Sequence, residues 1–236
     1  MEVNLTEKKI VIIGATDVLG YTCAEVLASE GCSLALIDSD MAALKAITAQ
    51  LREGHDVSIT SHAGDISDLK WQSSVLEIIQ PADHILFNWT RFVFDTSSNP
   101  KNSEALKPVG LIDANRIGTI LEFCSLALNE IVDRDNEGVF ITLLGSLSYA
   151  AANRVSNLES LSSEFWPVLE ASARVFTESV GKKYPNIRGI AIEVLGEISE
   201  SGDATVHEIQ IADTVAFLLS ERSAAIKATT LKLVSS

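Results

Sequence analysis

Short apolar runs alternate with longer stretches of helical period along the chain. The runs are Ile10–Ile13, Ser33–Ile37, Ser58–Ala63, His84–Asn88, Val139–Leu143, Ile187–Val194 and Thr230–Val234. Most are continuous rather than alternating, the pattern of parallel strands covered on both faces. Between them, apolar residues recur at helical spacing over Tyr21–Glu30, Met41–Arg52, Leu69–Ile79, Leu111–Val132, Glu164–Lys183 and Ile209–Ser220. This order predicts an α/β protein: a Rossmann-type, doubly wound, seven-stranded parallel sheet with helices on both faces. No repeat, linker or low-complexity tract divides residues 1–236, so a single domain is expected.

Composition narrows the function classes. The 236 residues are 47% apolar and 21% charged, ordinary for a globular protein. The formal net charge of -14 repels phosphate backbones and argues against nucleic-acid binding. The start, "MEVNLTEKK", has no apolar signal region, and no apolar run approaches ~18 residues. A cytoplasmic protein with no membrane contact is expected. Cys23, Cys32 and Cys124 are too scattered for a disulfide framework or a metal site and read as small buried hydrophobes.

Candidate chemistry begins at the first strand–helix turn, "GATDVLG". In a doubly wound sheet this turn is the usual phosphate site, because helix N-terminal amides face the anion and glycines permit close approach. Gly14 and Gly20 bound the turn. Asp38, in "LALIDSD", stands about 20 residues on, where a carboxylate would hold an adenine-ribose diol. It could equally begin a turn or cap the next helix. Asp65, in "HAGDISD", could reach an adenine edge or cap the helix after it.

The order and spacing of these segments resemble the short-chain dehydrogenase/reductase family over essentially the whole chain. "VIIGATDVLG" resembles the TGxxxGxG turn, and "GDIS" the segment with the adenine-contacting Asp. "ILFNWT" resembles the NNAG strand end and keeps Asn88; "DANRIGT" resembles the helix that carries an Asn, here Asn115. "ITLLGSLS" resembles the strand end that carries the catalytic Ser, here Ser146. "AAIKATTLKLVSS" runs parallel to the family's ending without its glycines. The resemblance implies hydride exchange with a nicotinamide cofactor. A Tyr whose pKa is lowered by a Lys four residues later would move the proton, the Ser would bind the substrate oxygen, and the Asn would anchor a relay water.

The pattern breaks where that chemistry is done. The family's YxxxK helix aligns with "WPVLEASARVFTESVG", which puts Trp166 at the Tyr position and Glu170 at the Lys position. An indole is no acid or base at neutral pH, and a carboxylate reverses the charge that would lower a Tyr pKa. Tyr149 and Tyr184 fall out of register. Pro167 fits a first helical turn, so Trp166 is expected at the helix start as a packing residue. Glu170 is expected as an exposed or interface carboxylate. In the glycine turn, Asp17 or Val18 replaces a glycine. An Asp facing a pyrophosphate at ~5 Å and an effective dielectric near 20 costs roughly 3 kcal/mol per charge, about a hundredfold in affinity. "LGEISE" replaces PGxIxT, with Leu195 for Pro and Glu200 for Thr, and a short polar stretch replaces the lid.

Glycine turn, Tyr–Lys pair, nicotinamide clamp and lid therefore fail together. The expectation is a chain with no catalytic set intact, its vestigial positions being Asn115, Ser146, Trp166 and Glu170. Cofactor binding is expected to be lost; any that survives would be to NAD, at Gly14, Gly20, Asp38, Asp65 and Asn88. The helical segment 111–132 is apolar over more than one face and asks for a partner. In the family, this helix and the one over 164–183 pair across a two-fold axis into a four-helix bundle. The resemblance thus implies a non-catalytic subunit that stabilises or completes an active NAD-dependent partner, or pairs with itself. A heterotetrameric hydroxyacyl-CoA dehydrogenase of the benzylsuccinate-degradation type is one such assembly. The alternatives are an active oxidoreductase with an atypical site using Ser146, and a ligand-sensing or scaffold protein.

Overall fold

Every apolar run becomes a strand, and the inner strands are buried on both faces. A computed structural model describes residues 3–89, 114–132, 137–145, 162–195 and 206–234. The strands are β1 (Lys9–Ile13), β2 (Ser33–Asp38), β3 (Ile59–Ala63), β4 (His84–Asn88), β5 (Gly138–Gly145), β6 (Ile187–Leu195) and β7 (Thr229–Val234). They form one seven-stranded sheet in the order β3-β2-β1-β4-β5-β6-β7. Every pairing is parallel. This is the expected Rossmann-type doubly wound α/β architecture.

The helices are α1 (Val18–Ser29), α2 (Met41–Gly54), α3 (Leu69–Ile79), α4 (Ala114–Val132), α5 (Ser162–Lys183) and α6 (Val206–Leu219). Alternate strand residues face opposite layers. Ile10 and Ile12 join a core with Leu19, Cys23 and Leu27 of α1, Leu44 and Leu51 of α2, and Ile211 and Val215 of α6. Val11 and Ile13 join a second core with Val75 of α3, Phe123, Cys124 and Leu128 of α4, and Ala173 and Val180 of α5. The inner strands β1, β2, β4, β5 and β6 are near-continuous apolar runs because each feeds both cores, whereas the edge strands β3 and β7 pack on one core only. The three cysteines are buried and unpaired, and burial pushes the Cys32 thiol up to about 12. No helix of the described residues is long and apolar enough to cross a membrane.

Three helix starts differ from expectation, α6 by beginning at Val206 rather than Ile209. Helix α1 begins at Val18, not Tyr21, because Asp17 caps it by accepting a hydrogen bond from the Gly20 N–H. Helix α5 begins at Ser162, so Trp166 does not mark its start and Pro167 lies inside it. Proline there forgoes one intrahelical hydrogen bond. Helix α5 lies hard against β6, since a Cβ on Gly189 would stand 2.1 Å from the Thr177 carbonyl oxygen.

Candidate functional site

Parallel register brings the candidate residues to one level. Ile13 pairs with Ile37 of β2 and with Phe87 of β4, so Gly14, Asp38 and Asn88 follow at the same end of adjacent strands. Asp38 in turn pairs with Ala63, which places Gly64 and Asp65 beyond it. This is the carboxyl-end crevice in which open α/β sheets bind ligands.

The turn between β1 and α1 is closed by its own side chains. Gly14 has a φ of 85°, a left-handed conformation that favours glycine. A Cβ on Gly20 would stand 2.2 Å from the Gly14 carbonyl oxygen, so only glycine lets α1 sit this close to the turn. Asp17 Oδ1 accepts from the Gly20 N–H at 2.7 Å. The same oxygen accepts from Asn88 Nδ2 at 2.8 Å. Asn88 Nδ2 also donates to the Gly14 carbonyl at 3.2 Å. Asn88 is fully buried, and its Oδ1 has no hydrogen-bond partner. A carboxylate thus sits at the helix N-terminus, where backbone amides favour an anion.

Asp38 is equally engaged. Its carboxylate is 1% exposed. Oδ2 accepts from the Thr16 N–H at 3.1 Å and from Thr16 Oγ1 at 2.8 Å. Oδ1 accepts from the backbone N–H groups of Ser39 at 2.8 Å and Asp40 at 3.3 Å. Of the two roles open to it in the sequence, Asp38 takes the turn; the cap of α2 is Asp40, which accepts from the Ala43 N–H. Asp65 does not cap α3, contrary to one expectation, because Asp68 does. Asp65 Oδ1 instead accepts from the N–H and hydroxyl of Ser67, at 2.9 and 2.7 Å, and holds the turn before the helix. Beside it the Trp71 indole lies on Gly64 and donates to the Ala63 carbonyl at 3.0 Å.

The proton-transfer end is only partly within the described residues. Ser146 and Tyr149 lie outside them. Asn115 lies on α4 and Trp166 on α5, four residues past its start. Tyr184 Oη donates to Asn129 Oδ1 at 2.8 Å and ties the end of α5 to α4. Glu170 is half-buried beside a charged cluster. Within it, Glu193 of β6 is 2% exposed. It is paired with Arg174 of α5 at 3.1 Å and Lys232 of β7 at 2.8 Å. Burial, then the Glu193 charge, raises the Glu170 pKa, while Arg174 and Lys232 pull it down. Cationic charge here is already committed to Glu193.

Sequence reasoning missed Asp17 as a cap, Thr16 as the lid on Asp38, and the Glu193 cluster. The last had a signal: a carboxylate inside the apolar run "IAIEVL" cannot be buried without cations.

No protein-family model and no curated protein sequence matches the chain. Solved structures do. L-sorbose reductase from Gluconobacter frateurii, complexed with NADPH and L-sorbose, superposes with a TM-score of 0.72 at 17% identity, covering 99% of this chain and 97% of that one. A short-chain type dehydrogenase/reductase from Mycobacterium marinum gives 0.73 at 14% identity, with 99% and 96% covered. An actinorhodin polyketide ketoreductase with NADPH gives 0.71 at 16% identity, with 97% and 96% covered. The chain has the fold of the short-chain dehydrogenase/reductases, over its whole length.

Proposed function

We propose that this chain, built on the short-chain dehydrogenase/reductase fold, is a non-catalytic subunit that stabilises or completes an active NAD-dependent dehydrogenase partner. The observation that carries the reading is the Asp17 carboxylate, which takes up the Gly20 N–H and the Asn88 amide at the turn where a pyrophosphate would sit. Asp38 supports it: four donors from its own chain occupy the carboxylate that a ribose diol would need. Glu170 supports it at the other end, since a carboxylate facing Glu193 cannot do the work of a lysine.

Assembly would use α4 and α5, where Leu126 is 40% and Val175 61% exposed. The partner is an intact short-chain dehydrogenase, with a hydroxyacyl-CoA enzyme of the benzylsuccinate type as one candidate and a second copy of this chain as the simpler outcome. NADH titrated into the purified chain, read by fluorescence, tests the cofactor half; micromolar binding would overturn it. Native co-purification with mass measurement tests the other half, and a homo-oligomer without a second chain would remove the heteromeric partner. An active oxidoreductase with an atypical site is the second reading, favoured by the NADPH bound in two of the structures with this fold. Turnover of carbonyl or hydroxyacyl substrates by the chain alone would establish it.

A further inference from the structure

The sheet has two edges, β3 and β7, and they are finished differently. Backbone groups of alternate residues on a strand point to opposite sides. On β3 the Ser58 carbonyl accepts from the Leu34 N–H at 2.8 Å, so Ile59, Ser61 and Ala63 turn their backbone groups to the open side. Two of those carbonyls are sealed. Arg52 of α2 donates to the Ile59 carbonyl through both Nε and Nη2, and Trp71 of α3 donates to the Ala63 carbonyl at 3.0 Å. Covering of this kind keeps an edge from adding a strand.

The β7 edge has no such cover. The Asn186 carbonyl accepts from the Gly138 N–H of β5 at 2.9 Å, so the odd-numbered residues of β6 face β7. The parallel register, Ala191 with Thr230 and Glu193 with Lys232, then turns the backbone groups of Thr230 and Lys232 outward. Among the described residues no side chain bonds to those groups. The side chains beside them are fixed. Thr230 Oγ1 donates to Glu178 Oε1 of α5 at 3.0 Å. Lys232 is paired with Glu193 at 2.8 Å, yet its side chain is 63% exposed. On the α6 face Leu231 and Leu233 are only partly buried.

Two such edges are complementary to each other. A two-fold axis normal to the sheet sets β7 antiparallel to β7 of a second copy and keeps both α5 helices on one face. A register with Lys232 opposite Lys232 would oppose like charges and is disfavoured. The neighbouring register sets Thr230 opposite Lys232 of the second copy. There the outward backbone groups bond in pairs, the lysine lies beside the Glu178 carboxylate held over Thr230, and Leu231 meets Leu231 on the other face.

We propose that the β7 edge pairs with β7 of a second copy of this chain, antiparallel and in that register, so that the sheet continues across the two-fold axis. The contact is separate from the exposed face of α4 and α5 and independent of what that face binds. It is small beside a standard protein interface, so it forms at the concentrations of NMR and comes apart at the dilution of native mass measurement. The test is amide hydrogen exchange and sedimentation of the full chain over a concentration series. The Thr230 and Lys232 amides should gain protection as the mass rises toward twice 25.4 kDa. Thr230→Pro removes an outward N–H and no bond of β7 to β6, and should weaken self-association about thirtyfold through two lost inter-strand bonds per dimer. Thr230→Val, which keeps the N–H, should weaken it far less. Glu178→Lys, which leaves the strand untouched and opposes two cations in the pairing, should weaken it about tenfold. A mass that does not change with concentration would overturn the proposal. So would a dimer whose Thr230 and Lys232 amides stay unprotected, protection that appears only with a different protein bound, or unchanged association in both Thr230→Pro and Glu178→Lys.

Discussion

Asp17 and Asn88, 71 residues apart in the chain, meet through a 2.8 Å hydrogen bond from the amide of one to the carboxylate of the other. The contact joins the first turn of α1 to the end of β4 across the mouth of the crevice. It makes Asp17 a cap, a cross-strand tie and a resident negative charge at once. These three roles can be separated by substitution. Asp17→Asn keeps a capping oxygen and removes the charge; Asp17→Gly removes all three. Thermal unfolding should be little changed in the first and lowered in the second, by a few tenths of a kcal/mol for the cap and by about 1 kcal/mol more for the lost bond to Asn88. If charge is the main barrier, NADH affinity should rise in both. An unchanged affinity in Asp17→Gly combined with Val18→Gly would place the barrier elsewhere in the crevice.

Asp38 should behave as a structural carboxylate. Replacing it with Ala leaves the part-buried N–H groups of Thr16 and Ser39 without their acceptor. Unsatisfied buried donors cost about 1–3 kcal/mol each, so urea denaturation should show a loss of roughly 3 kcal/mol. Thr16→Ala removes only the hydroxyl bond and should cost about 1 kcal/mol. Equal small losses in the two variants would mean that the carboxylate is not holding the turn.

The inner strands were legible in the sequence because each must be apolar on both faces. His84–Asn88 and the third helix, Leu69–Ile79, are found at their predicted bounds. The start of α1 was not legible, since Asp17 and Val18 fit a loop as well as a cap and first turn; the choice depends on Asn88, far along the chain. Asp38 shows the same limit. Its position after β2 follows from periodicity, but its four donors include Thr16, which only the β1–β2 pairing brings near. Glu193 is the contrary case: its partners Arg174 and Lys232 come from flanking elements and could not be named from sequence, though its need for them could.

Acid should destabilise the fold through His84. The Val139 N–H donates to His84 Nδ1 at 3.2 Å, which fixes a neutral ring in the interior. Burial lowers its pKa from 6.5 to about 4, against a smaller opposing effect of Asp83. Between these values the unfolded chain binds the proton and the folded chain does not, so stability falls as pH drops from about 6.5 toward about 4. The full shift corresponds to about 3 kcal/mol. Glu170 acts in the other sense: its raised pKa means the folded state holds a proton more tightly, so its penalty grows as pH rises through the raised value. Glu170→Gln should therefore be slightly stabilising at neutral pH and neutral in strong acid. Urea midpoints across pH for the wild type, His84→Gln and Glu170→Gln measure both slopes, and a flat wild-type profile would contradict the His84 assignment.

Restoring the family's pair should not restore a reaction. Glu170→Lys with Trp166→Tyr would set a third cation beside Arg174 and Lys232, around the single buried Glu193. Like charges so placed destabilise, and the new ammonium would compete for Glu193 instead of lowering a Tyr pKa. The expected outcome is a lower melting temperature and no turnover with NADH and a carbonyl panel. Measurable reduction by this double variant would mean that cofactor and substrate sites survive, and would support the atypical-enzyme reading.

Val175 should separate assembly from folding. It stands 61% exposed on α5, on a helix whose other residues Ala173, Thr177 and Val180 are buried against the sheet. Exposed substitutions away from packed contacts usually change stability by no more than ~0.5 kcal/mol, so Val175→Asp should unfold at the wild-type temperature. A charge placed in the centre of an apolar contact is poorly tolerated. Native mass measurement of Val175→Asp should therefore find the 25.4 kDa chain alone where the wild type carries its partner. Leu126→Asp on α4, where exposure is 40%, should act in the same direction. A complex that survives both changes would mean that the partner binds a different face, and would leave the apolar character of these helices to be explained by the core of the chain alone.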